Sequence, residues 1–417
     1  MSQVIIAGDT SGSITLAAPA VSGSSVLTMP VATDTLVGKA TTDTLTNKTL
    51  TAPVLGTPAS GILTSCTGIN YDEFKNRIIN GAMVIDQRNA GASVTQTTSE
   101  GYSLDRFLSY GNIASKFTMQ QSSTAPAGFV NSVVITSSAA TVVGSSDQYY
   151  FAQKIEGYNT ADLGWGTANA KTVTLSFWAR ASVIGTYSVF LLNNGSAYSY
   201  VANYTISVAD TFEYKTITIV APTVGTWLTT NGVGSYVGWD LGSGSTYNQT
   251  AGSWQAGNKR ATSGSTQLVA TSGATLYLTG VQLEKGSTAT SFDYRPYGTE
   301  LSLCQRYLPA FNFVSGANNL VGIGGFVNTS IGDILYKFDV PSRIVPTGIS
   351  VSSAASFTLA TPAGTTSVAT AVIIGNILHT ESCLIRVTGT GTPYTSNQMA
   401  FVYAPSAGQI LFTGVEL

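Results

Sequence analysis

Charge is scarce in this chain. Only 10% of its 417 residues are Asp, Glu, Lys or Arg, against about 25% in an average soluble domain, and the formal net charge is −2. A nucleic-acid partner would call for a basic face to neutralise phosphates, so that class is excluded. Histidine is scarcer still: His379, in GNILHTESC between two expected strands, is the only one. A Ser-His-Asp triad would need it beside a nucleophile and a carboxylate, and zinc would need more His or a Cys pair. It reads as a turn or surface residue. Cys66, Cys304 and Cys383 are odd in number and lie in separate segments with no metal or redox spacing, which favours free thiols. No run approaches the ~18 consecutive apolar residues of a membrane helix. MSQVIIAGDTSG lacks the basic start and apolar core of a secretory signal, and there is no lipidation signal. The expectation is a chain made in a cytoplasm, outside the standard export route, with no membrane insertion and no cofactor.

What is abundant is glycine (43 residues), with serine, threonine and a 10% share of aromatics. Low charge with many Gly, Thr, Val and Tyr is the usage of short strands joined by tight turns, and the aromatics are enough to build a core. Two echoes fix the expected architecture. TLYLTGVQLE (275–284) matches QILFTGVEL (409–417), and SLDRFLSY (103–110) has a counterpart in SLCQRYLPAF (302–311). Each stretch from an Arg-aromatic-Leu strand to a T-G-V strand reads as one closed unit. The fold class is therefore all-β: an extended, repetitive N-terminal segment that trimerises, followed by two β-sandwiches of jelly-roll type. The expected domains are 1–70, 71–300 and 301–417.

Residues 1–70 carry no Trp and no Phe, and TDTL recurs at 33–36 and 42–45. Such a segment buries little surface alone. It is either a low-complexity linker or, as favoured here, a stalk in which three copies bury Leu36, Leu45, Leu50, Val54 and Leu55 together. Residues 71–90 read as a short helix or helix-like junction stopped by Asn80-Gly81. Strands are expected at Ser132–Ile135, Thr172–Trp178, Tyr187–Leu192, Tyr214–Val220 and Leu276–Leu283. After a connector at Ser287–Glu300, more are expected near Leu335–Val340, Ile349–Leu359, Ala371–Ile374, Leu384–Val387, Met399–Tyr403 and Gln409–Val415.

Several of these stretches also carry a resemblance. NRIINGAMVIDQRNAG, DRF, VTLSFWARAS, GWDLGSGSTYNQTAGSWQAGN, the run from TLYLTGVQLE to LCQRYL, and the N-terminal TDTLVGKATTDTLTNKTLTAP resemble motifs of tail-fibre proteins of tailed bacteriophages, over about residues 1–311. The resemblance implies a homotrimer, an N-terminal segment that docks on the phage tail, baseplate or an adaptor protein, and jelly-roll domains similar to carbohydrate-binding modules that meet a host surface glycan. It brings no catalytic residues with it. The expected role is a structural virion protein that attaches to the host, not an enzyme. The alternatives are a polysaccharide-degrading fibre and a head fibre or adaptor that carries another receptor-binding protein.

The acidic residues of the long domain, Asp147, Glu156, Asp162, Asp210, Glu213 and Asp240, fall in no recognisable catalytic spacing for paired-carboxylate hydrolysis, and no loop has the dense carboxylates of a Ca²⁺ site. Sugar binding needs less: a ring to stack on a pyranose and a few amides or carboxylates for its hydroxyls. The densest candidate is Trp239, Asp240, Tyr247, Trp254 and Asn258. The competing reading makes Trp239 and Trp254 core residues of adjacent strands. Tyr198, Tyr200 and Tyr204 read equally as binders or packing. Phe177 and Trp178 must face opposite sides of one strand, one toward the core and the other toward a second surface such as a trimer interface. In the C-terminal domain, read as the receptor-binding tip, Phe313, Asn318 and Asn319 are the candidates, with core packing of the aromatics as the alternative.

Overall fold

Strands that alternate large apolar and small polar residues must bury one face, and from Val94 to Lys285 thirteen of them do so by pairing into two antiparallel sheets. This computed structural model describes residues 3–7, 11–17, 74–314, 319–391 and 393–417. The chain divides into two compact units, Met1–Asn70 and Tyr71–Leu417. In the first, Gln3–Ala7 pairs antiparallel with Ser13–Ala17. The stalk leucines and valines named above lie outside the described residues, as does Cys66.

In the second unit one sheet has seven strands, in the order Trp254–Ala256, Tyr198–Ile206, Gly185–Asn193, Val233–Ser243, Gln148–Glu156, Phe107–Gly111 and Gly101–Leu104. The other has six: Glu213–Ile219, Val173–Ala181, Thr275–Lys285, Ser132–Ser137, Phe117–Ser122 and Val94–Thr95. Between them Phe107, Phe151, Leu191 and Trp239 pack against Ile135, Leu175, Phe177 and Leu278. Residues 310–413 build a second core. Six strands, Asn319–Phe326, Ile331–Lys337, Ser382–Gly389, Thr366–Leu378, Thr358–Ala360 and Met399–Ala404, close into a barrel beside a three-stranded sheet of Ala310–Phe313, Gly408–Thr413 and Gly348–Val351. Closure leaves no open edge among those six strands, and SCLIRVTG shows the pattern that permits it, with Cys383, Ile385 and Val387 turned inward.

Two local expectations are corrected. Residues 74–90 hold no helix. Phe74, Asn80, Met83 and Ala90 all adopt positive φ, which a right-handed helix cannot contain, and the backbone amides bond to side chains instead. Ile79 N–H donates to Gln153 Oε1 at 2.9 Å, Ile85 N–H to Asn80 Oδ1 at 2.9 Å and Gln87 N–H to Asp105 Oδ2 at 2.6 Å. The one α-helix among the described residues is Tyr297–Gln305. The second Arg-aromatic-Leu, Arg306-Tyr307-Leu308, therefore follows a helix rather than lying in a strand.

These two stretches join the barrel to the sandwich. Ile79 and Ile85 pack with Cys304 and Tyr307, with Leu417 against them. Arg306 holds Glu156 by two parallel bonds, at 3.0 and 2.6 Å, and Tyr307 O–H donates to the same carboxylate. Arg106, fully buried, pairs with Glu416, donates to Lys154 O at 2.6 Å and lies 3.6 Å from the Tyr307 ring centroid. Arg88 meets the other Glu416 oxygen at 2.6 Å. The second T-G-V copy thus ends inside this junction.

Candidate functional site

The outer face of the seven-stranded sheet is covered over much of its area, with Asn203 and Thr205 left exposed. Leu108, Tyr150, Ala152, Phe190 and Val201 are buried there, and the Arg260 guanidinium lies 4.0 Å from the Tyr150 ring centroid and 4.8 Å from that of Phe190. The six-stranded sheet differs. Alternation sends Phe177 into the core and Trp178 outward, and register places Tyr214 beside Trp178 and Thr216 beside Ser176. Along Glu213–Ile219 every second residue is exposed.

On this face lies an open groove of about 500 Å³. Trp178 and Tyr214 form one end, their centroids 5.4 Å apart and their planes at 47°. Phe129, from the loop at 123–131, and Phe292, from the connector after Lys285, form the other, 5.1 Å apart and edge-on. Ser176 and Gly280 line the floor, and Ala289, Thr290 and Ser291 the side. No charged side chain lines it.

The walls are held before any ligand arrives. Glu284 accepts from the Thr290 N–H at 2.8 Å and the Thr290 hydroxyl at 2.6 Å, Gln282 Oε1 accepts from the Asp293 N–H at 2.8 Å, and the Tyr294 hydroxyl donates to Gly128 O. Gly280 makes the depth possible. Its φ is +60°, and a Cβ there would lie 2.7 Å from Phe129 Cζ and 3.0 Å from Trp178 Cδ1. Apolar rings with a few hydroxyls in a pre-formed cleft are the ingredients of a small-ligand site, and rigid walls lower the cost of binding.

The residues singled out from sequence fall elsewhere. Trp239 is 0% exposed, in the sandwich core between Phe151 and Phe177. With no free ring face it cannot stack on a sugar. Asp240, its neighbour on the opposite face, is buried too and accepts from the Ser243 hydroxyl. Burial pushes its carboxyl up to about 7. Trp254 is half-buried in an edge cluster with Trp165, Trp227, Tyr198 and Tyr200. Its indole N–H donates to Val220 O at 2.7 Å, and those of Trp165 and Trp227 likewise meet backbone carbonyls. Tyr204 lies in the core. Tyr247 and Asn258 are half-buried, and neither lines the polar hollow of about 500 Å³ formed by Asn203, Asn248, Gln249, Thr250, Ala251, Thr262 and Ser263, which offers no ring. Phe313 is buried in the second core against Phe311 and Phe357, so it too lacks a stacking face. Asn319 donates to Val314 O and Ala404 O. Asn318 lies outside the described residues.

Of the five tryptophans, Trp178 is the one whose ring opens onto a groove without being committed to the core or the edge cluster. Sequence alternation put either Phe177 or Trp178 on a second surface without saying which, and it could not bring Phe129, Tyr214 and Phe292 together there, because they come from three other segments.

No family model matches the chain, and no curated protein matches its sequence. Among solved structures the chain is similar to the enzymatically active domain of tailspike protein 4 from bacteriophage CBA120 (13% identity, TM-score 0.27), covering 51% of this chain and 22% of that one. It is also similar to a family 11 carbohydrate-binding module from Clostridium thermocellum in complex with a β-1,3-1,4-mixed-linked tetrasaccharide (13% identity, TM-score 0.24; 48% and 100% covered). A third is TmCBM61 in complex with β-1,4-galactotriose (9% identity, TM-score 0.24; 44% and 91% covered). The chain thus spans about a fifth of the tailspike. The scores are low, and no residue role is carried over from any of the three.

Proposed function

We propose that this chain is an adhesive fibre protein of a phage tail that binds host surface glycans, and that the groove between Trp178, Tyr214, Phe129 and Phe292 is where it does so. The single observation behind the binding site is that groove: two outward rings on a sheet face, faced by two more, with the hydroxyls of Ser176 and Ser291 among them. Rings take the apolar face of a pyranose and hydroxyls meet its polar rim. Such contacts are weak singly, and a trimeric fibre present in several copies per particle would multiply them. The virion role and the trimer rest on the fibre-like sequence motifs. The groove's lining holds no carboxylate, and glycoside cleavage needs two, which favours binding without cleavage.

The barrel is a second reading, supported by the exposure of Leu320, Ile323, Leu335, Ile373 and Met399 on its strands. A glycan array probed with the full chain, with Trp178→Ala and with Leu335→Asp separates the two. Loss of signal with Trp178→Ala alone supports the groove, and loss with Leu335→Asp alone supports the barrel.

A further inference from the structure

Beyond Phe292 the groove meets a second hollow, of about 230 Å³, walled by Ala82, Val84, Phe292, Tyr294 and Tyr297 and closed on its polar side by Asn76, Asp293, Arg295 and Glu300. Phe292 lines both. It sits in a triad of rings, 5.1 Å from Phe129 and 5.0 Å from Tyr294, with Tyr294 5.5 Å from Phe129. Rings therefore line both hollows, Trp178 and Tyr214 at one end, Phe129, Phe292 and Tyr294 between them, and Tyr297, which stands 64% exposed at the start of the helix, at the other.

The charges of this hollow are arranged for a neutral ligand. Arg295, 5% exposed, spends its guanidinium on Glu300 at 3.3 Å, on Ile78 O at 3.1 Å and on Asn76 O, with Asp293 at 4.0 Å. It offers no free cation to an anionic sugar. Asp293 has one oxygen 3.2 Å from the Asn76 N–H that donates to it. Its other oxygen makes no hydrogen bond among the described residues, and the side chain is partly exposed on the hollow's wall. A carboxylate with a spare oxygen beside exposed rings is suited to accept hydroxyl protons from a pyranose that stacks on those rings.

We infer that the two hollows are adjoining subsites for one neutral oligosaccharide chain: one sugar on Trp178 and Tyr214, and a following one at Tyr297 with its hydroxyls on Asp293. This rests on the groove being the glycan site and adds that the ligand is an uncharged chain segment, not a single terminal sugar. The experiment is titration calorimetry of the full chain with cello-, chito- and laminari-oligosaccharides of one to six units, and with oligogalacturonates of matching length. In the series that binds, affinity should rise at least tenfold from the shortest ligand to those long enough for both subsites. Tyr297→Ala and Asp293→Asn should each return long-chain affinity to the short-chain value and leave short-chain binding unchanged, whereas Trp178→Ala should weaken both roughly 30-fold. Oligogalacturonates should bind at least tenfold more weakly. Equal affinity at every length, or wild-type behaviour of both Tyr297→Ala and Asp293→Asn, would refute the second subsite and leave the groove standing. Oligogalacturonate binding as tight as the neutral series would refute the neutral class, and no titration in any series would overturn subsite and groove together.

Discussion

Trp178 presents its ring to an open groove, while Trp239 is enclosed by Phe151 and Phe177, so truncating each should have a different consequence. Trp178→Ala should weaken glycan binding by about 2 kcal/mol, or roughly 30-fold, and leave the melting temperature near that of the parent. Trp239→Ala should cost about 3–5 kcal/mol of stability through the cavity it leaves, read by urea unfolding. Asp240 carries a pH signature. Burial raises its carboxyl from 3.8 to about 7, so between those values the folded chain holds a proton that the unfolded chain has released. Stability from this residue is full below about pH 3.8 and is lost as pH rises to about 7. Asp105, pushed up to about 6 mainly by burial, has the same sign. Urea unfolding from pH 4 to 8 should show the loss, and Asp240→Asn should flatten most of it and leave the smaller slope of Asp105.

The T-G-V echo marks a shared backbone device at the level of the element. In the first copy Gly280, with φ +60°, sits at a break in register on Thr275–Lys285, between its pairings through Thr279 and Gln282. In the second, Gly414, with φ +83°, follows Gly408–Thr413 and turns Val415–Leu417 into the junction. A Cβ at either position meets both a left-handed backbone and a neighbour under 3 Å away. Gly280→Ala should therefore cost about 1–2 kcal/mol for the backbone alone, and it should also abolish glycan binding by pushing Phe129 and Trp178 away from the two ends of the groove. Sequence was a good guide to the strands wherever alternation was strong. Val173–Ala181, Gly185–Asn193, Glu213–Ile219 and Thr275–Lys285 each contain an expected strand or overlap it within a residue or two. It failed at 74–90, where charged residues among isoleucines imitate a helix but the amides are satisfied by the side chains of Asn76 and Asn80 within the segment and of Gln153 and Asp105, the last two from segments that no local pattern brings near. The site was only half legible for the same reason. Alternation turns one of Phe177 and Trp178 outward without showing which, and the rings that complete the groove at Trp178 belong to two loops and a neighbouring strand.

For the whole molecule, the junction between sandwich and barrel depends on a buried charge. Arg106 has almost no contact with solvent, and its carboxylate partner is Glu416. Removing one partner of such a pair strands the other. Glu416→Ala should therefore destabilise the 71–417 unit by about 3–5 kcal/mol, measured by urea unfolding, well beyond what an exposed ion pair such as Arg180–Asp210 would cost. The trimer proposed from residues 1–70 is tested by light scattering of the full chain, which should give three times the 43.3 kDa of one chain, whereas a monomer mass in dilute buffer would sink it. The proposed glycan binding depends on the groove. Its most direct test is retention of the full chain on immobilised bacterial surface polysaccharide, wild type against Trp178→Ala/Tyr214→Ala, with the eluate examined for released fragments. The wild type should be retained, the double variant, equally folded, should not be, and no fragments should appear. Retention of the double variant at the wild-type level, or cleavage of the polysaccharide by the wild type, would contradict this proposal.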